Sequence, residues 1–164
     1  MNCKNYKCYR KNLENYNSKD LNQFLDAIQI AIKKYQFKYD KYGNELIFHT
    51  LTVSKCVNSL DAKIVAILHD VIENSSIEIS FLEKQGFSKN IISAIRLLLK
   101  DKTITYEQYI LNISKNTLAS EVKLADICYI LYMIKIQKKP TTEFLKKYEI
   151  YIKSLIFLLQ SQSK

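Results

Sequence analysis

Glycine and proline are almost absent from this chain, which has two glycines and one proline among its 164 residues. β-Sandwiches, barrels and dinucleotide-binding folds use these residues at their many tight turns. Apolar residues recur instead at intervals of three and four, as at Leu21, Phe24, Leu25 and Ile28, and no run alternates as a half-buried strand does. The sequence therefore predicts an all-α fold.

The predicted helices belong to one domain, because a chain of this length buries one core of ordinary size. We expect a polar N-terminal arm over residues 1–17 and a compact single-domain helical fold, with about seven or eight helices, over residues 18–164. The expected helices cover residues 19–38, 46–60, 61–74, 77–85, 89–99, 103 or 105 to 114, 116–137 and about 143–160.

The formal net charge of +9 favours anionic partners such as nucleotides, phosphates and nucleic acid through long-range attraction. A lysine excess of this kind is also typical of an ordinary solvated surface. Only Arg10 and Arg96 accompany the lysines, and no nucleic-acid recognition motif is visible. Nucleic acid is therefore not the favoured partner.

The N-terminal arm is rich in lysine and asparagine and lacks the apolar core of a signal peptide. No uncharged run approaches the ~20 residues that cross a bilayer. We therefore expect a cytoplasmic protein with no membrane partner. Cys3 and Cys8 are expected to be free thiols, with metal binding or oxidation as alternatives, whereas Cys56 and Cys128 lie in apolar helical segments and are expected to be buried.

Two histidines and two aspartates stand out because they interrupt apolar segments, and His49 and His69 are the only histidines of the chain. Asp126 is the only charged residue of the segment 124–134. A carboxylate on a buried helix costs several kcal/mol unless it is paired or bound to a metal. A lysine, a helix N-terminus or exposure to solvent would also account for Asp126.

His69 and Asp70 are neighbours on one predicted helix, so their side chains project about 100° apart and both can reach one ion between them. Glu73 lies one turn further on the same face and supplies a carboxylate for proton transfer. Antiparallel packing of the preceding helix would place His49 opposite His69. Histidine nitrogens and carboxylate oxygens suit a divalent cation such as Mn, Fe or Zn, so the set predicts a metal-centred active site.

The order His49…His69-Asp70…Asp126 resembles that of the HD-domain metal-dependent phosphohydrolases. The surrounding strings are similar to those of the alarmone (ppGpp) hydrolase domain of the RelA/SpoT homologues and of their small single-domain relatives. The resemblance covers about residues 21–131. Its matching segments are residues 27–31, 40–45, 47–51, 66–74, 106–110 and 122–126.

The resemblance implies an HD fold with one divalent cation, commonly Mn²⁺, and with Fe²⁺ or Zn²⁺ as alternatives. The implied metal ligands are His49, His69, Asp70 and Asp126. Glu73 and Asn74 stand at the positions of a catalytic Glu-Asp pair that activates water, and Lys41 stands at the position of a lysine that contacts the nucleotide.

Four positions depart from the family pattern. Asn74 replaces an aspartate, and an amide can orient water but cannot accept a proton. Ile130 replaces an asparagine that contacts the nucleotide, Asp40 replaces a basic residue, and Thr50 replaces a proline. The four ligand positions are kept, whereas the positions that contact substrate have changed.

The sequence thus favours an enzyme, a metal-dependent phosphohydrolase acting on a nucleotide or alarmone-like phosphorylated substrate. The alternative is a catalytically altered HD module that binds metal and nucleotide as a sensor or regulator. The last predicted helix has an apolar face that is expected to pack on the domain, with contact in a homodimer as the alternative. That face consists of Phe144, Leu145, Tyr148, Ile152, Leu155 and Leu159.

Overall fold

The structure is a computed structural model that describes residues 17–39, 43, 45–136 and 142–162. These ranges contain eight helices and no strand, so the expected all-α fold is confirmed. The helices are α1 (Ser18–Tyr35), α2 (Leu46–Lys55), α3 (Leu60–Glu73), α4 (Ile79–Lys84), α5 (Lys89–Leu98), α6 (Tyr106–Ser114), α7 (Thr117–Lys135) and α8 (Thr142–Gln162). An isolated antiparallel bridge joins Tyr39 to Glu45. Of the predicted N-terminal arm, residues 1–16, with Cys3 and Cys8, lie outside the described residues.

Short polar side chains begin most of these helices. Ser59, Ser88, Thr105 and Asn116 each accept a hydrogen bond from the backbone N–H three residues further on. Such caps satisfy donors that the first turn of a helix leaves unpaired. The helix after Ser88 begins at Lys89 as predicted, and the helix after Asn116 begins at Thr117, one residue later than predicted.

The first helix differs from the prediction at both ends. Capped by Asn17, it begins at Ser18, one residue before the expected start at Lys19, and it ends at Tyr35 rather than at Lys38. Phe37 has φ 61°, a left-handed conformation in which an α-helix cannot continue. Nothing in the sequence signals this end, because left-handed residues are usually glycine or asparagine.

Helix α3 is the centre of the fold and packs against α1, α2, α5 and α7. Ile64, Val65, Ala66, Ile67 and Leu68 are fully buried. A helix that is apolar on all sides is stable only when other elements cover it. His69 and Asp70 follow this buried run directly, so the packing of α3 fixes their position relative to α2 and α7.

Helix α8 packs on α6 and α7, and Leu158 is fully buried there. The predicted packing of its apolar face holds only in part. Ile152 and Leu155 are partly buried, whereas Leu145 and Leu159 are more than half exposed. The side chain of Phe144 lies outside the described residues.

Two further observations concern the surface of the described ranges. Cys56 and Cys128 are exposed free thiols, so the prediction that they are buried is wrong. Cys56 is the C-cap of α2 rather than an interior residue, and Cys128 occupies an exposed position on α7. None of the helices in these ranges is both long enough and apolar enough to cross a membrane.

Candidate metal centre

The structure brings His49, His69, Asp70 and Asp126 together in one cluster. Nε2 of His49 lies 2.9 Å from Oδ2 of Asp70 and 3.3 Å from Oδ1 of Asp126. Nε2 of His69 lies 3.2 Å from Oδ1 of Asp70. Residues from three separate parts of the sequence thus meet where α2, α3 and α7 pack against one another.

Burial distinguishes the members of this cluster. His69 and Asp126 are almost fully buried, at 4% and 8% side-chain exposure, whereas His49 and Asp70 are 22% and 18% exposed. The cluster therefore has an inner side, formed by α3 and α7, and an outer side that solvent can reach. Such a partly open site lets a small ligand approach from solvent.

The backbone fixes the ring of His69. Its Nδ1 lies 3.0 Å from the carbonyl oxygen of Ala66 and 3.2 Å from that of Val65. Carbonyl oxygens only accept hydrogen bonds, so Nδ1 carries a proton and donates to them, and Nε2 is the ring nitrogen directed at Asp70. Nε2, 3.2 Å from Oδ1 of Asp70, is therefore the atom through which His69 could bind a cation.

Asp126 has a lysine partner, one of the explanations that the sequence leaves open. Nζ of Lys123, one turn earlier on α7, donates a hydrogen bond of 2.8 Å to Oδ2 of Asp126. Burial by itself would raise the pKa of Asp126, but the Lys123 charge and the hydrogen bond from His49 hold that pKa well below its usual range. Asp126 is therefore ionised inside the fold.

The pKa values of His49 and Asp70 also reflect a competition between burial and nearby charged groups. Burial would lower the pKa of His49, but hydrogen bonds to Asp126 and Asp70 raise it to about 9. Burial would raise the pKa of Asp70, but the charge of His69, the hydrogen bond from His49 and its charge lower it. The cluster is thus a strongly polar site inside an apolar shell.

Two tyrosines that sequence reasoning missed border the cluster. The rings of Tyr129 and His49 meet edge to face, with centroids 4.5 Å apart. Tyr35, at the end of α1, is buried, and burial and then the negative charge of Asp70 raise the pKa of its hydroxyl. Tyr129 follows Asp126 by one helical turn, and this spacing is the only sign in the sequence that Tyr129 lies beside the cluster.

Two of the residues predicted to act on substrate, Glu73 and Asn74, form the exposed end of α3, which we call the rim of the site. Glu73 is the last residue of α3 and is exposed, and Asn74 is its exposed C-cap. Nδ2 of Asn74 donates a hydrogen bond of 2.9 Å to the carbonyl oxygen of Asp70. Lys41 and Asp40 lie outside the described residues.

The other two substituted positions are described. Ile130 lies half-buried on α7. Thr50, in the family's proline position, is fully buried, and its hydroxyl donates a hydrogen bond of 3.0 Å to the carbonyl oxygen of Ile47. The substitution of the proline therefore leaves no unpaired hydroxyl in the core.

The donor types fit a divalent cation. Among the described residues, no group of three or more His, Cys, Asp or Glu side chains is spaced to surround an ion, since the imidazole nitrogens contact carboxylate oxygens directly. Two imidazoles and two ionised carboxylates are nevertheless the ligands that Mn, Fe and Zn prefer. The Nδ1 hydrogen bonds of His69 are the support that metal-binding histidines have in proteins.

Comparison with known proteins gives one informative result. No family model and no curated protein matches the sequence. A solved structure does match it, described as a metazoan orthologue of SpoT that hydrolyses ppGpp and plays a role in starvation responses. The two chains superpose with a TM-score of 0.69 over 84% of this chain and 85% of the other, at 23% identity. This chain therefore has the fold of that hydrolase, and the expected all-α HD fold is confirmed.

Proposed function

We propose that the protein is a metal-dependent phosphohydrolase that acts on a nucleotide or alarmone-like phosphorylated substrate. The observation that carries the proposal is the meeting of two imidazoles and two carboxylates from three helices, linked by three contacts of 2.9, 3.2 and 3.3 Å. The likeness in fold to a ppGpp-hydrolysing protein supports the same activity class. The proposal takes the protein to act in the cytoplasm.

In this proposal His49, His69, Asp70 and Asp126 hold one divalent cation, with Mn²⁺ as the first choice and Fe²⁺ or Zn²⁺ as alternatives. The ion would lower the pKa of a bound water and offset negative charge on the phosphate. Nδ1 of His69 donates its hydrogen bonds to the backbone carbonyl oxygens, so Nε2 is the nitrogen that would bind the metal ion.

Glu73 is the proposed general base or water-orienting carboxylate. It lies on the turn of α3 that follows Asp70, at the exposed rim where substrate and water can reach it. Lys41 is the proposed nucleotide contact. The net charge of +9 would draw an anionic substrate toward the protein.

A second candidate function is a sensor that binds metal and nucleotide without turnover. The observation that favours it is the position of Asn74, whose amide caps the end of α3 by its bond to Asp70 instead of supplying an acid. A nucleotide that raises the melting temperature with Mn²⁺ present, yet is never consumed, is the expected result for a sensor.

The test is release of phosphate or pyrophosphate from a nucleotide panel that includes ppGpp, with the Mn²⁺-loaded protein. Turnover by the wild type and none by His69→Ala/Asp70→Ala is the expected result. Glu83→Gln is the matched control, because Glu83 pairs with Arg96 at an exposed site away from the cluster and its loss should change nothing. Activity that survives in the metal-free double variant would contradict the proposal.

A further inference from the structure

Lys123 is a charged side chain that the proposed chemistry does not use. Its side chain is 13% exposed and that of its partner Asp126 is 8% exposed. Removing both charges from water costs free energy, and a surface lysine would avoid that cost. The question is therefore what this buried ammonium group does for Asp126.

The two carboxylate oxygens of Asp126 have different partners. Oδ2 accepts the 2.8 Å hydrogen bond from Nζ of Lys123, whereas Oδ1 lies 3.3 Å from Nε2 of His49. Because the lysine occupies Oδ2, only Oδ1 is directed at the histidine side of the cluster. The carboxylate is thus held in one orientation by partners on both of its oxygens.

The ammonium group of Lys123 is itself held in place. Nζ lies 5.5 Å from the centroid of the Tyr109 ring, which is within the range of a cation–π contact. The hydroxyl of Tyr109 is buried and donates a hydrogen bond of 2.7 Å to the carbonyl oxygen of Leu98. A series of contacts therefore runs from α5 through α6 to Lys123 and Asp126 on α7.

We propose that Lys123 is a positioning residue of the metal centre: it makes Asp126 a ligand through the single oxygen Oδ1, and it lowers the affinity for the ion. The affinity falls because a fixed positive charge repels a cation and offsets part of the carboxylate charge. In the metal-free protein, the same charge keeps buried Asp126 paired. This inference rests on the proposed function, since it takes Asp126 to be a metal ligand.

The test compares Mn²⁺ binding to the wild type and to Lys123→Met, which has a side chain of similar length and no charge. Without metal, the Tm of the variant should be lower by about 10 °C, because one partner of a buried ion pair is left alone. Its affinity for Mn²⁺ by calorimetry should be about tenfold higher. The rise in Tm on adding Mn²⁺ should therefore be larger than in the wild type.

Three further variants separate positioning from a merely structural role. Lys123→Gln keeps a hydrogen-bond donor without the charge and should also bind Mn²⁺ more tightly, including where Lys123→Met does not fold. Lys123→Arg keeps the charge and should bind Mn²⁺ within about threefold of the wild type. Lys63→Met is the matched control, because Lys63 donates to the carbonyl oxygens of Ser54 and Val57 and not to a carboxylate, so its loss should lower Tm only.

Unchanged or weaker Mn²⁺ affinity in the charge-free Lys123 variants would overturn the inference. A wild type that binds no Mn²⁺ gives a different result, since it removes the proposed function itself. The two failures are therefore distinguishable in one set of titrations.

Discussion

Two members of the cluster, His69 and Asp70, and the rim residues Glu73 and Asn74 lie one turn apart at the end of α3, yet they differ in burial and in their contacts. His69 and Asp70 follow the buried run of α3 and are held by contacts to α2, to the backbone and to each other. Glu73 and Asn74 end the same helix and are exposed. The cluster is a part of the core, whereas the rim is a part of the surface.

This difference in burial predicts that metal binding and catalysis depend on different residues. A change in the cluster leaves a buried charge without its partner, so it alters both stability and metal binding. A change at the rim affects side chains that solvent can hydrate, so it can alter catalysis with little effect on the fold. Asn74, the departure from the family pattern at this end of α3, is at the rim. Variants in the cluster and variants at the rim should therefore lose different properties.

Asp126→Ala should have the largest effect, because it leaves the Lys123 ammonium group buried without its carboxylate. The free energy of unfolding should fall by about 3–5 kcal/mol. Mn²⁺ binding should be lost at the same time. Thermal denaturation and calorimetry measure the two effects. A folded variant with wild-type Mn²⁺ affinity would show that Asp126 is no ligand.

Glu73→Gln should affect turnover alone. An amide cannot take up a proton, so we expect hydrolysis to fall by about 10²–10⁴-fold. Tm and Mn²⁺ affinity should stay at wild-type values, because Glu73 is exposed. Steady-state rates with a hydrolysed nucleotide from the panel measure the change. A variant that keeps full activity would assign the proton transfer to another group.

Asn74→Asp should make the protein less stable and more active. The new carboxylate cannot donate to the Asp70 carbonyl oxygen, and its charge at the C-terminal end of a helix is unfavourable. We expect a loss of about 1 kcal/mol in the free energy of unfolding together with faster hydrolysis of ppGpp. Asn74→Ala is the control, since it loses the same bond without supplying an acid. Equal rates in the two variants would refute a chemical role for an acid at this position.

Ser59→Ala should have the smallest effect and concerns the opposite end of α3. Oγ of Ser59 accepts a hydrogen bond of 3.0 Å from the backbone N–H of Ala62. Loss of such a cap costs about 1 kcal/mol, or about 2–4 °C in Tm for a chain of this size. Mn²⁺ affinity should not change. A weaker affinity would mean that the cluster depends on the whole helix rather than on its C-terminal turns.

The cluster could be predicted from the sequence because its members are rare residues in unusual surroundings. The only two histidines and Asp126 interrupt apolar helices, and no other described part of the chain has that combination. The pairing of Asp126 with Lys123 could be named only as one alternative. The choice depends on which neighbours cover α7, and that is a property of the packing.

The wrong predictions also have physical causes that the sequence pattern does not reveal. Helix α7 is apolar on almost every side, so its periodicity did not show that Cys128 faces outward. The end of α1 depends on a left-handed Phe37, a conformation that side chains other than glycine seldom adopt. The division of the chain at residue 17 remains a prediction, because residues 1–16 lie outside the described ranges.

Calorimetric titration of Mn²⁺ into the metal-free protein is the decisive test of whether His49, His69, Asp70 and Asp126 form one metal centre. We expect one Mn²⁺ ion per wild-type chain and no binding to His69→Ala/Asp70→Ala. Glu83→Gln should bind Mn²⁺ as the wild type does, since Glu83 pairs with Arg96 on the surface. A wild type without a binding transition, or a double variant with the same affinity as the wild type, would contradict the claim.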